Sequence, residues 1–313
     1  MSTHTITHAT DGGETSAQTP LQSTRAASAA SRFRQLLAAP GFIQCPVIYD
    51  VMSAKLSAQL GFPALYAGGQ TVSASMYGIG DFGTITTSEL IEFAARVVDA
   101  VDVPVVGDAD DGGGGPLNMY RTIQRYERTG VACVMIEDMY GTKHLPGMPE
   151  GPMTSIDAFV DKIRAAVDAR KDDLVILARC DSLSAKEPFE KGLERLAAYA
   201  EAGADAVFLA GAPIRQTPRI AEVTKRPVMT VTMPTDPDAA PDVLRHSQVK
   251  IACYAYQLLA VALGAVQQAL QDIKATGYIQ NFAQRAITSE GFVQLTDAAS
   301  AADIVRRFNA VRP

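Results

Sequence analysis

The chain has 313 residues, 47% hydrophobic and 20% charged, with a net charge of -6 and an isoelectric point near 5.3. That composition suits a globular protein with a sizeable core, and the length suits one α/β barrel of ~250 residues with tails. The acidic balance, with no Lys/Arg run, excludes a nucleic-acid surface, and no apolar run approaches the ~18 residues of a membrane helix.

Residues 1–31 are rich in Ser, Thr, Ala and Gly and show no hydrophobic period. They are expected to be disordered and to lie outside the fold, which then occupies residues 32–313. The segment lacks the apolar centre of a secretory signal, so a cytoplasmic location is expected. Cys45, Cys133, Cys180 and Cys253 are widely spaced, without a CxxC pair. They read as small apolar residues in or beside buried strands, in keeping with a reducing compartment.

From Arg32 onward, short apolar runs alternate eight times with amphipathic stretches. The predicted strands are 46–49, 64–66, 103–107, 132–136, 174–178, 206–209, 228–231 and 249–252. Their near-continuous apolarity is the mark of strands covered on both faces. The predicted helices between them are 53–60, 87–100, 117–129, 155–169, 188–202, 216–223, 241–246 and 254–275. Gly61, Gly130 and Gly203 fall just past helix ends, where a left-handed residue is wanted. Three short helices, 281–286, 290–295 and 297–308, follow as a tail. Eight strand–helix units close most naturally into a (β/α)8 TIM barrel. The rival, an open doubly wound sheet, lacks a GxGxxG after the first strand.

The chemistry is positional. Strand one ends in Asp50, strand three runs into Asp108 and Asp110, strand four into Glu137 and Asp138, strand five into Arg179 and Asp181. Active sites of β/α barrels are built at such C-terminal strand ends. Carboxylates gathered on one rim repel unless a cation lies among them. All-oxygen donors select a hard ion, so Mg2+, or Mn2+, is implied and zinc is not. An Asp at a strand end can instead cap the next helix. Asp111 reads that way, and Asp181 before Ser182 is open to both readings.

"YAGGQ" at 66–70 offers consecutive backbone N–H groups suited to a carboxylate, or forms an ordinary turn. Arg179 closes the apolar run "LVILAR" and needs an anionic partner, either a substrate carboxylate or a rim acid. Residues 139–153, with three glycines and three prolines, are too long for a plain turn and read as a lid. Within it, Lys143 and His144 can deliver protons or charge. "DDGGGG" at 110–115 lacks the G-K-[ST] ending of a phosphate loop and reads as a rim loop.

The phrases "YDVMSAKLSAQLGFPALYAGG", "GIGDFGTIT", "VPVVGDADDGGG", "RTGVACVMIED", "VILARCDS" and "EAGADAVF" resemble the isocitrate lyase/phosphoenolpyruvate mutase superfamily. They run in the correct order over roughly residues 40–275. The resemblance implies a barrel whose last helix is swapped onto a neighbouring subunit within a homotetramer, a dimer of dimers. It also implies a Mg2+ site that stabilises an enolate or related oxyanion of a small carboxylic acid. Carried over, Asp108 looks like the direct metal ligand, and Asp81, Asp110 and Glu137 like the holders of the metal's waters. Arg179 is similar to the arginine that grips the substrate carboxylate. Gly69 and Gln70 resemble the backbone donors to its other oxygen, with Tyr66 on the same substrate-facing segment. Lys143 falls at the lysine of the gating loop.

Departures from the pattern bear on the substrate. The loop reads Lys143-His144-Leu145-Pro146-Gly147, without the cysteine of K-[KR]-C-G-H and with Leu145 at the asparagine of K-T-N-S. Gly68 replaces the usual serine, and "FLAGAP" lacks the glutamate after strand six. Together these argue against the standard lyase activities and for a member nearer the oxaloacetate decarboxylase-like or carboxyphosphonoenolpyruvate mutase-like groups. Three functions stay open. One is a Mg2+-dependent carbon–carbon lyase or decarboxylase on a small 2-oxo or 2-hydroxy acid, protonating through His144, Lys143 or water. The second is a P–C bond enzyme of the phosphonopyruvate hydrolase or mutase type. The third is a non-catalytic oxo-acid binder.

Overall fold

A computed structural model describes residues 27–143 and 151–309 of the chain. Eight parallel strands are hydrogen-bonded in chain order, and the last returns to the first, so the sheet is a closed barrel. They are β1 (Ile43–Ile48), β2 (Leu65–Ala67), β3 (Val105–Asp108), β4 (Cys133–Glu137), β5 (Val175–Cys180), β6 (Ala206–Leu209), β7 (Val228–Val231) and β8 (Val249–Tyr254). The expected (β/α)8 barrel is the one found, and the open-sheet alternative is excluded by the β1–β8 pairing.

Each strand feeds a helix that folds back over the sheet. The covering helices are α2 (Val51–Gln59), α4 (Thr87–Ala100), α5 (Pro116–Thr129), α6 (Ile156–Ala169), α7 (Phe189–Glu201), α8 (Thr217–Thr224) and α9 (Pro241–His246). Two helices escaped the sequence reading. The first, α1 (Ala29–Ala38), starts inside the segment assigned to the disordered N-terminus. Ser28 caps it by accepting from Ser31 N–H at 3.0 Å. Its Phe33 is fully buried against the barrel interior, so residues 29–31 belong with the fold. The second, α3 (Gly69–Tyr77), begins in the "YAGGQ" turn. Its glycine, serines and β-branched residues are poor helix formers. Tertiary contacts hold it: Thr71 and Ser73 are buried, and Thr71 Oγ1 donates to Ile48 O at 2.8 Å.

Two apolar layers result. One lies between sheet and helices and includes Ile48, Leu65, Phe93, Ile123, Ile136, Phe159 and Val207. The other fills the barrel interior with Cys45, Val47, Tyr66, Val106, Cys133, Met135, Leu177 and Phe208. The four cysteines are all free and buried, with thiols that burial pushes up, as expected of small core residues.

The chain ends in α10 (Gln257–Thr276), α11 (Phe282–Arg285), α12 (Ser289–Leu295) and α13 (Ala298–Asn309). Helix α10 packs against β1 yet buries Leu259 alone among its residues. No helix among the described residues is long and apolar enough to cross a membrane.

Candidate active site at the barrel mouth

Side chains alternate along a strand, so the inward row of each strand continues every second residue past the apolar core. On β3 the inward Val106 is followed by Asp108, on β4 Met135 by Glu137, and on β5 Leu177 by Arg179. Registry then sets Glu137 directly beside Arg179. One geometric rule thus turns a dry interior into a charged floor at the C-terminal rim.

Asp108 is held from several sides. Its Oδ2 accepts from Tyr66 OH at 2.7 Å and from Gly69 N–H at 2.8 Å, while Oδ1 accepts from Asp110 N–H at 3.2 Å. Tyr126 OH donates to the Asp108 carbonyl behind it. A Cβ on Gly69 would meet Asp108 Oδ2 at 3.2 Å, so the glycine permits this approach. Here the structure refines the expectation for the glycine segment. The Gly69 N–H is engaged by Asp108 and is not a free donor to a ligand. Gly68 and Gln70 both line the cavity above, with Gln70 exposed.

Lys143 is drawn down among the acids. Its Nζ donates to Asp110 Oδ1 at 2.8 Å and Glu137 Oε1 at 2.9 Å, and lies 3.5 Å from Asp81 Oδ1. Only 4% of the side chain is exposed. Burial pushes its ammonium down, but Glu137, Asp110 and Asp81 outweigh that and hold it above the ordinary lysine range. Burial, then the neighbouring Asp108 charge, raises Asp110 to about 7 against the opposing pull of Lys143. Burial also raises Asp81. His144, the other proton carrier expected from the lid, lies outside the described residues, as do 145–150.

Arg179 takes the rim-acid option. Its guanidinium is 3.1 Å from Glu137 Oε2 and 2.7 Å from Asp181 Oδ1, and lies over the Phe208 ring at 5.8 Å. Its Nε has no hydrogen-bond partner among the described residues. Asp181 therefore serves Arg179 and caps no helix, since α7 starts only at Phe189.

Not every rim acid belongs to the site. Asp50 forms a capping box with Ser53 at the start of α2, its Oδ1 accepting from Ser53 N–H at 2.7 Å. Asp111 takes Gly113 N–H at 2.8 Å in the glycine turn and does not cap α5 as expected, because that helix starts only after Gly115. Asp138, next to Glu137, points to the opposite face of β4. It accepts from Tyr199 OH at 2.6 Å and Asp181 N–H at 2.8 Å, behind the floor. Tyr126, Tyr199 and Asp138 form a support shell that chain order alone did not reveal. The strict in–out alternation was the signal available for Asp138.

Above this floor opens a cavity of about 600 Å3. Tyr66, Gly69, Asp81, Asp108 and Arg179 border one side of it, and β6 to β8 the other. A smaller one of about 360 Å3 lies across the acid cluster, lined by Asp110, Glu137, Lys143, Arg121 and Arg125.

The family model described as phosphoenolpyruvate phosphomutase matches residues 33–274. The chain belongs to the isocitrate lyase/phosphoenolpyruvate mutase superfamily. It is 40% identical over 181 residues to 2,3-dimethylmalate lyase of Eubacterium barkeri, a match covering 58% of this chain and 62% of that protein. It is 33% identical over 277 residues to oxaloacetate decarboxylase of Rhodopseudomonas palustris (strain ATCC BAA-98 / CGA009), covering 87% and 92% of the two chains. The crystal structure of a phosphonopyruvate hydrolase complex with oxalate and Mg++ superposes with a TM-score of 0.78 at 25% identity, covering 90% of this chain and 99% of that one.

Within this superfamily member, the donor set tests the implied cation. Asp81, Asp108, Asp110 and Glu137 offer only oxygens, which suits a hard ion such as Mg2+. Among the described residues, no three acidic, His or Cys side chains form a ready metal cage. Mg2+ keeps several of its waters and needs few protein ligands, so the set fits it without such a cage. The Lys143 ammonium meanwhile pairs with three of these carboxylates, Asp81, Asp110 and Glu137.

Proposed function

We propose that the protein is a Mg2+-dependent carbon–carbon lyase or decarboxylase acting on a small 2-oxo or 2-hydroxy carboxylic acid. The observation that carries this reading is the inward convergence of Asp108, Glu137 and Arg179 at one barrel rim, where Glu137 pairs with Arg179 and Asp108 and Arg179 line the cavity. Asp108 would hold the ion directly, with Asp81, Asp110 and Glu137 around it; when bound, Mg2+ supplies charge against a developing oxyanion. Arg179 fixes positive charge beside the cavity, where a substrate carboxylate or an enolate oxygen gains from it in a low-dielectric site. Tyr66 and the Gly69 N–H hold Asp108 in place. Gly68 and Gln70 border the bound acid. Lys143 and His144, from the lid segment, are the proton carriers in this reading. The relatives named as 2,3-dimethylmalate lyase and oxaloacetate decarboxylase support the reaction class. A homotetramer completes the proposal, on the resemblance and on the exposed apolar tail, and the free cysteines support a cytoplasmic location.

The test is consumption of oxaloacetate, methyl-substituted malates, methylisocitrate and phosphonopyruvate, with Mg2+ and then with EDTA. We expect metal-dependent oxo-acid release from one carbon–carbon substrate, reduced at least about 100-fold in Asp108→Ala. Full turnover by that variant, or no acid consumed at all, would sink the proposal. The phosphonopyruvate hydrolase neighbour favours one second reading, P–C bond cleavage. Phosphate appearing in the phosphorus NMR spectrum of phosphonopyruvate would select it instead.

A further inference from the structure

We infer that the acid taken by this site carries an uncharged alkyl group, which lies against the wall built by β6, β7 and β8. The inference rests on the oxo-acid reading above and specifies the substrate class within it.

The cavity is chemically divided. Asp81, Asp108 and Arg179 gather on the β3 to β5 side. The facing wall is mainly apolar, with Phe208, Ala210, Met229, Val231, Met233 and Cys253 beside the uncharged Thr230 and Tyr256. Phe208, Met229 and Cys253 continue the dry barrel interior and are at most 5% exposed. No ionisable acid or base of β6 or β7 lines this wall. The charges on that side stand on the loops above, where Asp236 lines the cavity and Arg215 is 71% exposed and 3.4 Å from Asp238 Oδ2. Arg215 is thus solvated and already neutralised.

Arg179 overlies only the Phe208 end of the wall. A charged arm pressed beyond it, on Met229, Val231 and Met233, would lose its water without gaining a buried cation, which is strongly unfavourable. An alkyl group there gains about fourfold in affinity for each methylene removed from water. Space is available as well. Ala210, Gly211 and Ala212 follow β6 with minimal side chains, and a volume of about 600 Å3 far exceeds what a three-carbon acid fills.

The experiment is titration calorimetry on the full chain with saturating Mg2+, using pyruvate, 2-oxobutanoate, 2-oxopentanoate and 2-oxoglutarate as probes. Affinity is expected to rise about fourfold per added carbon from pyruvate to 2-oxopentanoate. 2-Oxoglutarate, which places a carboxylate where 2-oxopentanoate places its terminal methyl, is expected to bind at least tenfold more weakly than 2-oxopentanoate. In Met233→Glu, on the half-buried loop after β7, the gain in affinity with chain length should vanish. Flat affinity across the alkyl series, or tighter binding of 2-oxoglutarate, overturns the inference and leaves the oxo-acid reading standing. An undiminished gain in Met233→Glu overturns the assignment of the wall. Failure of every probe to bind removes the oxo-acid reading itself, and the inference with it.

Discussion

Around Lys143, three carboxylates that would repel one another share a single buried ammonium. The residue answers, with a side chain, the need for a cation that the clustered acids create. A divalent ion seeking Asp81, Asp110 and Glu137 therefore competes with Lys143. In Lys143→Met the acids lose that partner, and the metal-free protein should bind Mn2+ at least about tenfold more tightly, read by electron spin resonance of free Mn2+. Unchanged or weaker binding would show that the lysine and the ion do not compete. At this scale the sequence was readable wherever strand parity applied. Asp108, Glu137 and Arg179 extend inward rows and were found. Asp50 and Asp138 occupy similar chain positions but face away, one into a helix cap and the other into the Tyr199 pair. Distinguishing them requires knowing where each strand's inward row begins.

The segment 139–153, expected to act as a lid, is held at both ends by the barrel rim. Its two ends are fastened by an isolated antiparallel bridge between Met139 and Met153. Tyr140 N–H donates to Pro152 O at 3.2 Å, and Thr154 N–H to Asp138 O at 2.7 Å. Beneath them runs the segment bearing Asp81, where Gly83 adopts φ +72° and its backbone abuts the Gly141 carbonyl. A side chain at Gly83 meets both an unfavourable backbone conformation and that oxygen. Gly83→Ala should cost about 1–3 kcal/mol, seen as a lowered melting temperature, with faster proteolysis within 139–153. A variant as stable and as protease-resistant as the parent would contradict this fastening. Helix α3 makes the complementary point. Its sequence argues against a helix, and only its place on the barrel rim makes it one.

Across the whole molecule, α10 is a long apolar helix that the fold leaves largely uncovered among the described residues. Val261, Leu263, Val266 and Leu270 are each more than half exposed along it. Apolar surface of that extent marks a contact site in proteins generally. A swapped helix in a tetramer, as proposed, would bury it. Sedimentation should then give four times the 33.2 kDa chain mass, and Leu263→Glu with Leu270→Glu should shift the protein to smaller species. A monomeric parent protein would refute the assembly.

By itself the sequence determined the barrel, because eight apolar runs separated by amphipathic helices have few ways to bury every strand on both faces. It also determined which strand ends carry acids and the arginine, since alternation along a strand is a local property. What only the tertiary structure decided were the partners. Lys143 joined the acids, Gly69 N–H turned to Asp108, Arg179 settled between Glu137 and Asp181, and an apolar wall came to face them. Those pairings join residues up to tens of positions apart, on different strands and loops. They depend on the register and closure of the sheet, which no local pattern encodes.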